Sequence, residues 1–363
     1  MSSPPGGPPS DGPRVVALGG GHGLAASLQA LRRVTPHVTA VVTVADDGGS
    51  SGRLRQELGI VPPGDLRMAL AALAGDDEEC QTWEALLQHR FGGNGPLAGH
   101  AVGNLVLAGL VASTGDQVRA LDVAGRMLGA VGRVLPMSCV GLEIVAEVTE
   151  LDPADPSAVA QVVGQVAVAT TPGRVSAVHL RPHEPPACAE AAQAVLDADW
   201  VVLGPGSWFT SVLPHLLVPE LRVALETTSA RRLVCLNLAE QPGETDGFTP
   251  EEHLAVLRRH APALALDLVL ADGQAVGEPR GLMAAVASAG GRLVLAPVAR
   301  GDGTPRHDPA RLAAALADAM GLGQPGPHEP PSGPDPTGRP PASRSTTAPG
   351  PTTSSTAEVP AWR

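Results

Sequence analysis

The stretch that most constrains this chain begins at Arg14. The apolar run Val15, Val16, Ala17, Leu18 meets Gly19-Gly20-Gly21-His22-Gly23, and Leu24, Leu28 and Leu31 follow at helical spacing. Strand, glycine loop and helix in that order open a nucleotide-binding βαβ unit. Glycines let backbone N–H groups approach a ligand, and the helix start adds unpaired donors and partial positive charge, which suits phosphate. A second apolar run, Thr39 to Val44, leads into Asp46-Asp47-Gly48-Gly49-Ser50-Ser51-Gly52-Arg53. Ligands of open α/β sheets bind outside the carboxyl ends of strands, so the two segments point to one crevice.

Three familiar motifs overlap these residues. Gly21-x-Gly23-x-x-Ala26 has the form of a dinucleotide fingerprint, but a second phosphate-like loop follows the acids where plain sheet is expected. Gly48-x-Ser50-x-Gly52 matches a nucleophile elbow by letter, in a polar context that fits it poorly. A Walker A loop requires lysine, and the chain has none.

The remaining composition narrows the function classes. The 363 residues are enough for one large or two ordinary domains. Hydrophobic content is 43% but aromatic content only 2%, so aliphatic side chains must fill the core. A net charge of −12 argues against nonspecific nucleic-acid binding, which needs basic surface. The four cysteines, Cys80, Cys139, Cys188 and Cys235, form no CxxC and read as buried reduced thiols. No secretory leader is evident, and the longest apolar run, residues 105–112, is far short of the ~20 needed to span a bilayer, so a cytoplasmic protein without a membrane span is expected.

Residues 1–13 and 323–363 are rich in Pro, Gly, Ser and Thr and read as disordered tails around a folded part at 14–322. Residues 62–65 break the chain before a helix, and Asp65 reads there as an N-cap. Residues 133–138, 142–148, 159–169 and 174–180 have strand composition and together suggest a small β-rich insertion. Alternation then returns: strand 200–203 runs into Gly204-Pro205-Gly206-Ser207-Trp208-Phe209-Thr210, and strand 233–238 into Gln241-Pro242-Gly243-Glu244-Thr245-Asp246-Gly247. Thr249, Pro250 and Glu252 spell a capping box. The expected fold is therefore α/β and Rossmann-like: a mostly parallel sheet with helices on both faces and a small β-rich insertion.

Four strand ends thus carry unusual loops. Ser50, Ser51, Arg53, Ser207 and Thr210 are phosphate and hydroxyl binders by type, and Arg53 or Arg67 can neutralise a phosphate. Asp46, Asp47, Glu244 and Asp246 are suited to a hydrated Mg²⁺ or to sugar hydroxyls. Each also has a plain reading as a turn, cap or core residue, His100 and His215 included. No nucleophile or acid/base pair stands out, so the residues favour binding of a phosphorylated ligand over any specific catalysis.

These motifs resemble the YvcK family of gluconeogenesis factor-like, UDP-N-acetylglucosamine-binding proteins, within the larger CofD-like superfamily. The resemblance is carried by ALGGGHGL (17–24), TVADDGGSSGRLR (43–55), PPGDLR (62–67), GHAVGNL (99–105), GRVLP (132–136), LGPGSWFTSVLPHLL (203–217) and QPGETDGFTPEEHL (241–254). It implies a cytoplasmic protein that binds a UDP-sugar, self-associates, acts with regulatory partners in cell shape and envelope synthesis, and supports growth on gluconeogenic carbon. It also brings Asp65, Arg67, Asn104, Gln241, Glu244 and Thr245 into the expected ligand-binding set. The CofD branch instead transfers a phospholactate-type group from a guanylylated donor in coenzyme F420 synthesis, with the paired aspartates, here Asp46 and Asp47, serving Mg²⁺. The chain departs from the YvcK pattern at His22, His215 and Phe248, where Thr, Asn and Tyr are usual.

Overall fold

A computed structural model describes residues 11–241 and 243–322. Of the two expected tails, residues 1–10 and 323–363 lie outside the described residues; Pro13, at the inner end of the first, accepts from the Thr35 hydroxyl at 2.7 Å.

Seven strands form a parallel sheet: β1 (Val15–Gly19), β2 (Val38–Val42), β3 (Arg133–Pro136), β7 (Trp200–Leu203), β8 (Arg231–Cys235), β9 (Leu268–Ala271) and β10 (Arg292–Leu295). Their order is β10-β9-β8-β7-β1-β2-β3. The chain runs outward from β1 to β3 on one side, returns to the centre at β7, and runs outward again. The connection therefore reverses between β1 and β7, which pair in parallel from Val15 with Trp200 to Leu18 with Leu203. Every residue of β1, β7 and β9 is buried, as expected of central parallel strands covered by helices on both faces. Leu, Val and Ala supply nearly all of this core, with Trp208 and Phe209 the largest of its fully buried side chains.

The insertion is a three-stranded antiparallel sheet of β4 (Glu143–Thr149), β5 (Ala160–Val163) and β6 (Arg174–Arg181), in the order β5-β4-β6. Two local expectations are corrected here. Residues 133–136 belong to the edge of the large sheet, because β3 pairs with β2. Residues 159–169 are a short strand followed by a helix, Gln165–Ala169. Gly164 stands between them at φ 103°, a conformation that breaks an extended run.

Three helices matter to the site: α1 (Gly21–Leu31), α2 (Gly49–Leu58) and α3 (Gly64–Ala72). The segment read as a second phosphate loop is largely the first turn of α2. The expected capping box is present: Thr249 accepts from Glu252 N, and Glu252 accepts from Thr249 N.

Candidate functional site

The topological switch between β1 and β7 places two glycine loops side by side at the carboxyl edge of the sheet. They interlock. A Cβ on Gly23 would lie 2.2 Å from the Pro205 carbonyl oxygen and 2.6 Å from Gly206 Cα. Ser27 donates from its hydroxyl to the Gly204 carbonyl at 3.3 Å, tying α1 to the second loop. Asn237, just beyond β8, clasps that loop from the other side. Its amide oxygen accepts from Gly206 N–H at 2.9 Å, and its amide N–H donates to the Gly206 carbonyl at 2.8 Å.

The two loops open on a cavity of about 1170 Å³. Of the residues expected from sequence, His22, Gly23, Arg67, Pro205, Gly206, Ser207, Thr210, Gln241 and Glu244 line it. A second lobe of about 260 Å³ is lined by Asp46, Gly48, Gly49, Ser50, Ser51, Asp65 and Asn104, and Arg67 borders both lobes. The residues expected from sequence therefore gather in these two adjoining lobes, although they come from six separate segments of the chain.

Arg67 is the cationic centre. It is 4% exposed, its Nε donates to Asn104 Oδ1 at 2.9 Å, and its Nη1 has no protein partner. Burial, and then the neighbouring Arg90, pull its pKa below the ordinary arginine value, so an anion placed there would relieve an unfavourable charge. Asn104 Nδ2 donates to Ser50 Oγ at 3.0 Å, and Ser50 Oγ meets His100 Nδ1 at 3.0 Å. Ser50, Asn104 and His100 are thus the frame that aims Arg67. Ser51 Oγ, also buried, has no partner.

Asp65 does not cap α3. It sits under the first glycine loop and accepts from Gly21 N–H. A Cβ on Gly20 would come within 2.6 Å of its Oδ2. Burial, and then the charge of Asp46, raise its pKa from 3.8 to about 7, partly offset by the Gly21 bond and by Arg67. A carboxyl that titrates near neutrality can both give and take a proton.

The paired aspartates part company. Asp46 Oδ1 accepts from Gly48 N–H at 2.9 Å and stays in the lobe with Asp65. Asp47 turns away, and its Oδ1 accepts from Val166 N–H at 3.0 Å, in the first turn of helix Gln165–Ala169. No group of three or more His, Cys, Asp or Glu side chains among the described residues could hold a metal ion by itself; for a hydrated Mg²⁺ the fitting donors are Asp46 and the unpartnered Ser51 Oγ, whereas Asp47 is turned to Val166 N–H. Replacing Asp47 with alanine should cost about 1 kcal/mol through the lost helix cap, with ligand affinity unchanged. Urea unfolding and a binding titration on the same variant check both halves.

Other expected residues have structural duties. Arg53 donates to the carbonyls of Ala98 (2.8 Å) and Pro96 (3.4 Å) rather than reaching the glycine loops. Ser207 and Thr210 donate to the Glu244 carboxylate at 2.6 and 2.9 Å, and Phe209 N–H joins them at 3.2 Å. Glu244 is 5% exposed, and burial raises its pKa. Gln241 Oε1 accepts from Trp208 N–H at 3.1 Å, and Thr245 Oγ1 from Gln241 N–H at 2.9 Å. Gln241 and Glu244 therefore brace the second glycine loop. Of the three family departures, His22 faces the crevice. His215 is fully buried against the carbonyls of Val41 and Val212, with its pKa lowered to about 4 by burial. Phe248 packs edge-on to Phe209 at 5.9 Å.

Sequence reading missed Asn237, Arg90, Gln165, Arg300, Arg306 and His307, all of which line the larger cavity. Asn237 lies just past a strand end, a signal available in the sequence. Arg90 comes from a helix exit and gives none.

A family model described as "2-phospho-L-lactate transferase CofD" matches residues 15–288. A protein of Mycobacterium tuberculosis named "Putative gluconeogenesis factor" is 56% identical over 320 residues, covering 87% of this chain and 93% of its own. A protein of Halalkalibacterium halodurans named "Gluconeogenesis factor" is 39% identical over 264 residues, covering 73% of this chain and 79% of its own. A crystal structure of a protein from Bacillus halodurans superimposes with a TM-score of 0.73 at 33% identity, covering 86% of this chain and 99% of that one. No helix among the described residues is long and apolar enough to cross a membrane. With matches that run through the glycine loops, the aspartates and the arginine just described, this chain belongs to the gluconeogenesis factor (YvcK) family of CofD-like proteins.

Proposed function

We propose that this protein binds a UDP-sugar, UDP-N-acetylglucosamine in the first instance. In this reading it acts in the cytoplasm as a regulator of envelope synthesis and of growth on gluconeogenic carbon, self-associating and working through protein partners. The observation that carries the proposal is the pair of interlocked glycine loops at the β1/β7 switch, opening on a cavity large enough for a nucleotide sugar. The diphosphate would lie over residues 20–23 and against the 204–207 loop, where the start of α1 favours negative charge. Arg67 would meet it with its unpartnered Nη1. The names of the relatives support the metabolic side of the reading.

A second reading is a Mg²⁺-dependent transferase acting on a guanylylated phospholactate-type donor. It is favoured by Asp65, a carboxyl titrating near neutrality beside Asp46, and by the description of the matching family model. Bound Mg²⁺ would supply charge neutralisation at the transferring phosphate, while Asp65 holds or releases the proton of the acceptor group.

Thermal unfolding against UDP-N-acetylglucosamine, UDP-glucose, GTP, GDP and NAD, with and without Mg²⁺, separates the two. A ligand at about 100 times its Kd adds roughly 2.7 kcal/mol, a readable rise in Tm. A rise with UDP-sugars alone is expected. A rise with guanine nucleotides alone would overturn the first reading in favour of the second.

A further inference from the structure

Three of the four cysteines are buried, as the composition suggested, but Cys139 is exposed. It follows β3 in the 137–142 connection, which the backbone fastens to the segment before the helix Ala189–Asp197. Cys188 N–H donates to the Met137 carbonyl at 3.1 Å, and Ser138 Oγ donates to the Pro186 carbonyl at 2.6 Å. These bonds place Cys139 beside Cys188, the N-cap of that helix, whose Sγ donates to Glu190 Oε2 at 3.4 Å. Nothing in the crevice accounts for this pair.

We propose that Cys139 and Cys188 form a peroxide-reactive dithiol, with Cys139 the attacking sulfur and Cys188 the resolving one. The roles follow from exposure: Cys139 is open to solvent, and Cys188 is 1% exposed behind it. The neighbouring Cys188 thiol lowers the Cys139 pKa, although burial and the nearby carboxylates of Glu190 and Asp116 work against it. Cys188 itself is held as a thiol: Cys139 first, then burial, raise its pKa, and the Glu190 carboxylate that accepts from its Sγ is placed to take its proton. The remaining thiols are poorly suited. Burial raises Cys235 to about 12, and a hydrogen bond to Asp77 raises Cys80.

The chemistry balances with a hydroperoxide as oxidant. The Cys139 thiolate attacks the distal peroxide oxygen; the O–O bond breaks, an S–O bond forms, and the alkoxide leaves with a proton as an alcohol. The Cys188 sulfur then attacks the Cys139 sulfenic acid. The S–O bond breaks, an S–S bond forms, and hydroxide departs as water with the Cys188 proton. One hydroperoxide and two thiols give one disulfide, one alcohol and one water. The disulfide would staple the β3–β4 connection to the helix Ala189–Asp197. That connection also reaches toward the crevice, since Leu142 N–H donates to the Val44 carbonyl at 3.2 Å, two residues before Asp46.

The test treats the reduced full chain with hydrogen peroxide, followed by peptide mapping under non-reducing conditions. The expected product is an intramolecular disulfide between Cys139 and Cys188, with Cys80 and Cys235 still alkylatable after unfolding. In Cys188→Ser, dimedone should trap a sulfenic acid on Cys139, and Cys139→Ser should lose the reaction. A disulfide joining Cys139 residues of two chains, a stable Cys139 sulfenic acid in the wild-type chain, or earlier oxidation of Cys80 or Cys235 would each overturn the proposal. The wild-type map decides the matter even if a variant fails to fold.

Discussion

Replacing Gly23 with alanine is expected to lower stability by roughly 3 kcal/mol and to weaken nucleotide-sugar binding at least tenfold. The added methyl would sit 2.2 Å from the Pro205 carbonyl oxygen and 2.6 Å from Gly206 Cα, both backbone atoms that cannot rotate away. Overpacking against backbone typically costs ~1–3 kcal/mol, and here the whole glycine loop must move. For a domain of this size that is a fall in Tm of roughly 6–12 °C. Gly21→Ala is the matched control. Gly21 has φ +56° but nothing within 4 Å of its added Cβ, so only left-handed strain of about 1 kcal/mol is expected. Equal losses in the two variants, measured by calorimetry, would mean that conformational freedom and not loop contact is what the motif requires.

The second large effect is on pH dependence. The Asp65 carboxyl has its folded pKa raised from 3.8 to about 7, by burial first and Asp46 second. Between those values the folded chain keeps a proton that the unfolded chain has released. The stability this proton provides is full below about pH 4 and is lost as pH rises through 7, a swing of up to ~4 kcal/mol. Asp65→Asn keeps an acceptor for Gly21 N–H but cannot ionise. At pH 8 it should be more stable than the parent chain by roughly 2–4 kcal/mol, and near pH 4 the two should agree. Tm measured from pH 4 to 8 tests this, and parallel curves would contradict it. A stabilising change at the centre of the crevice should also impair whatever Asp65 does there, the usual exchange between stability and function.

The parts of the fold legible in the sequence were those written locally. The run from Val15 to Leu31 shows strand, loop and helix by its own periodicity, and Thr249 with Glu252 shows a helix start. The glycine-bearing ends of β1 and β2 pointed to the carboxyl edge of the sheet, where parallel sheets collect ligands, and there the larger cavity opens between the β1 and β7 loops while the β2 end lines the smaller lobe. What was hidden depends on tertiary packing. The start of α2, Gly49-Ser50-Ser51-Gly52, has poor intrinsic helix propensity and looks like a loop. The strand β3 reads like its neighbours in the insertion, and only its pairing with β2 assigns it to the large sheet. Asp65 looks like a cap by position, yet its partner is Gly21, 44 residues earlier in the chain. Asp46 and Asp47 look like one acid pair, and the Val166 N–H separates them. Ser207 and Thr210 look like ligand hydroxyls, and Glu244 takes both.

The central claim is that the crevice between the β1 and β7 loops holds a UDP-sugar. A crystal structure of the full chain grown with UDP-N-acetylglucosamine tests it most directly. Diphosphate density is expected over residues 20–23 and against the 204–207 loop, within hydrogen-bond reach of Arg67. Density for the nucleotide at another surface, or an empty crevice under saturating ligand, would contradict it.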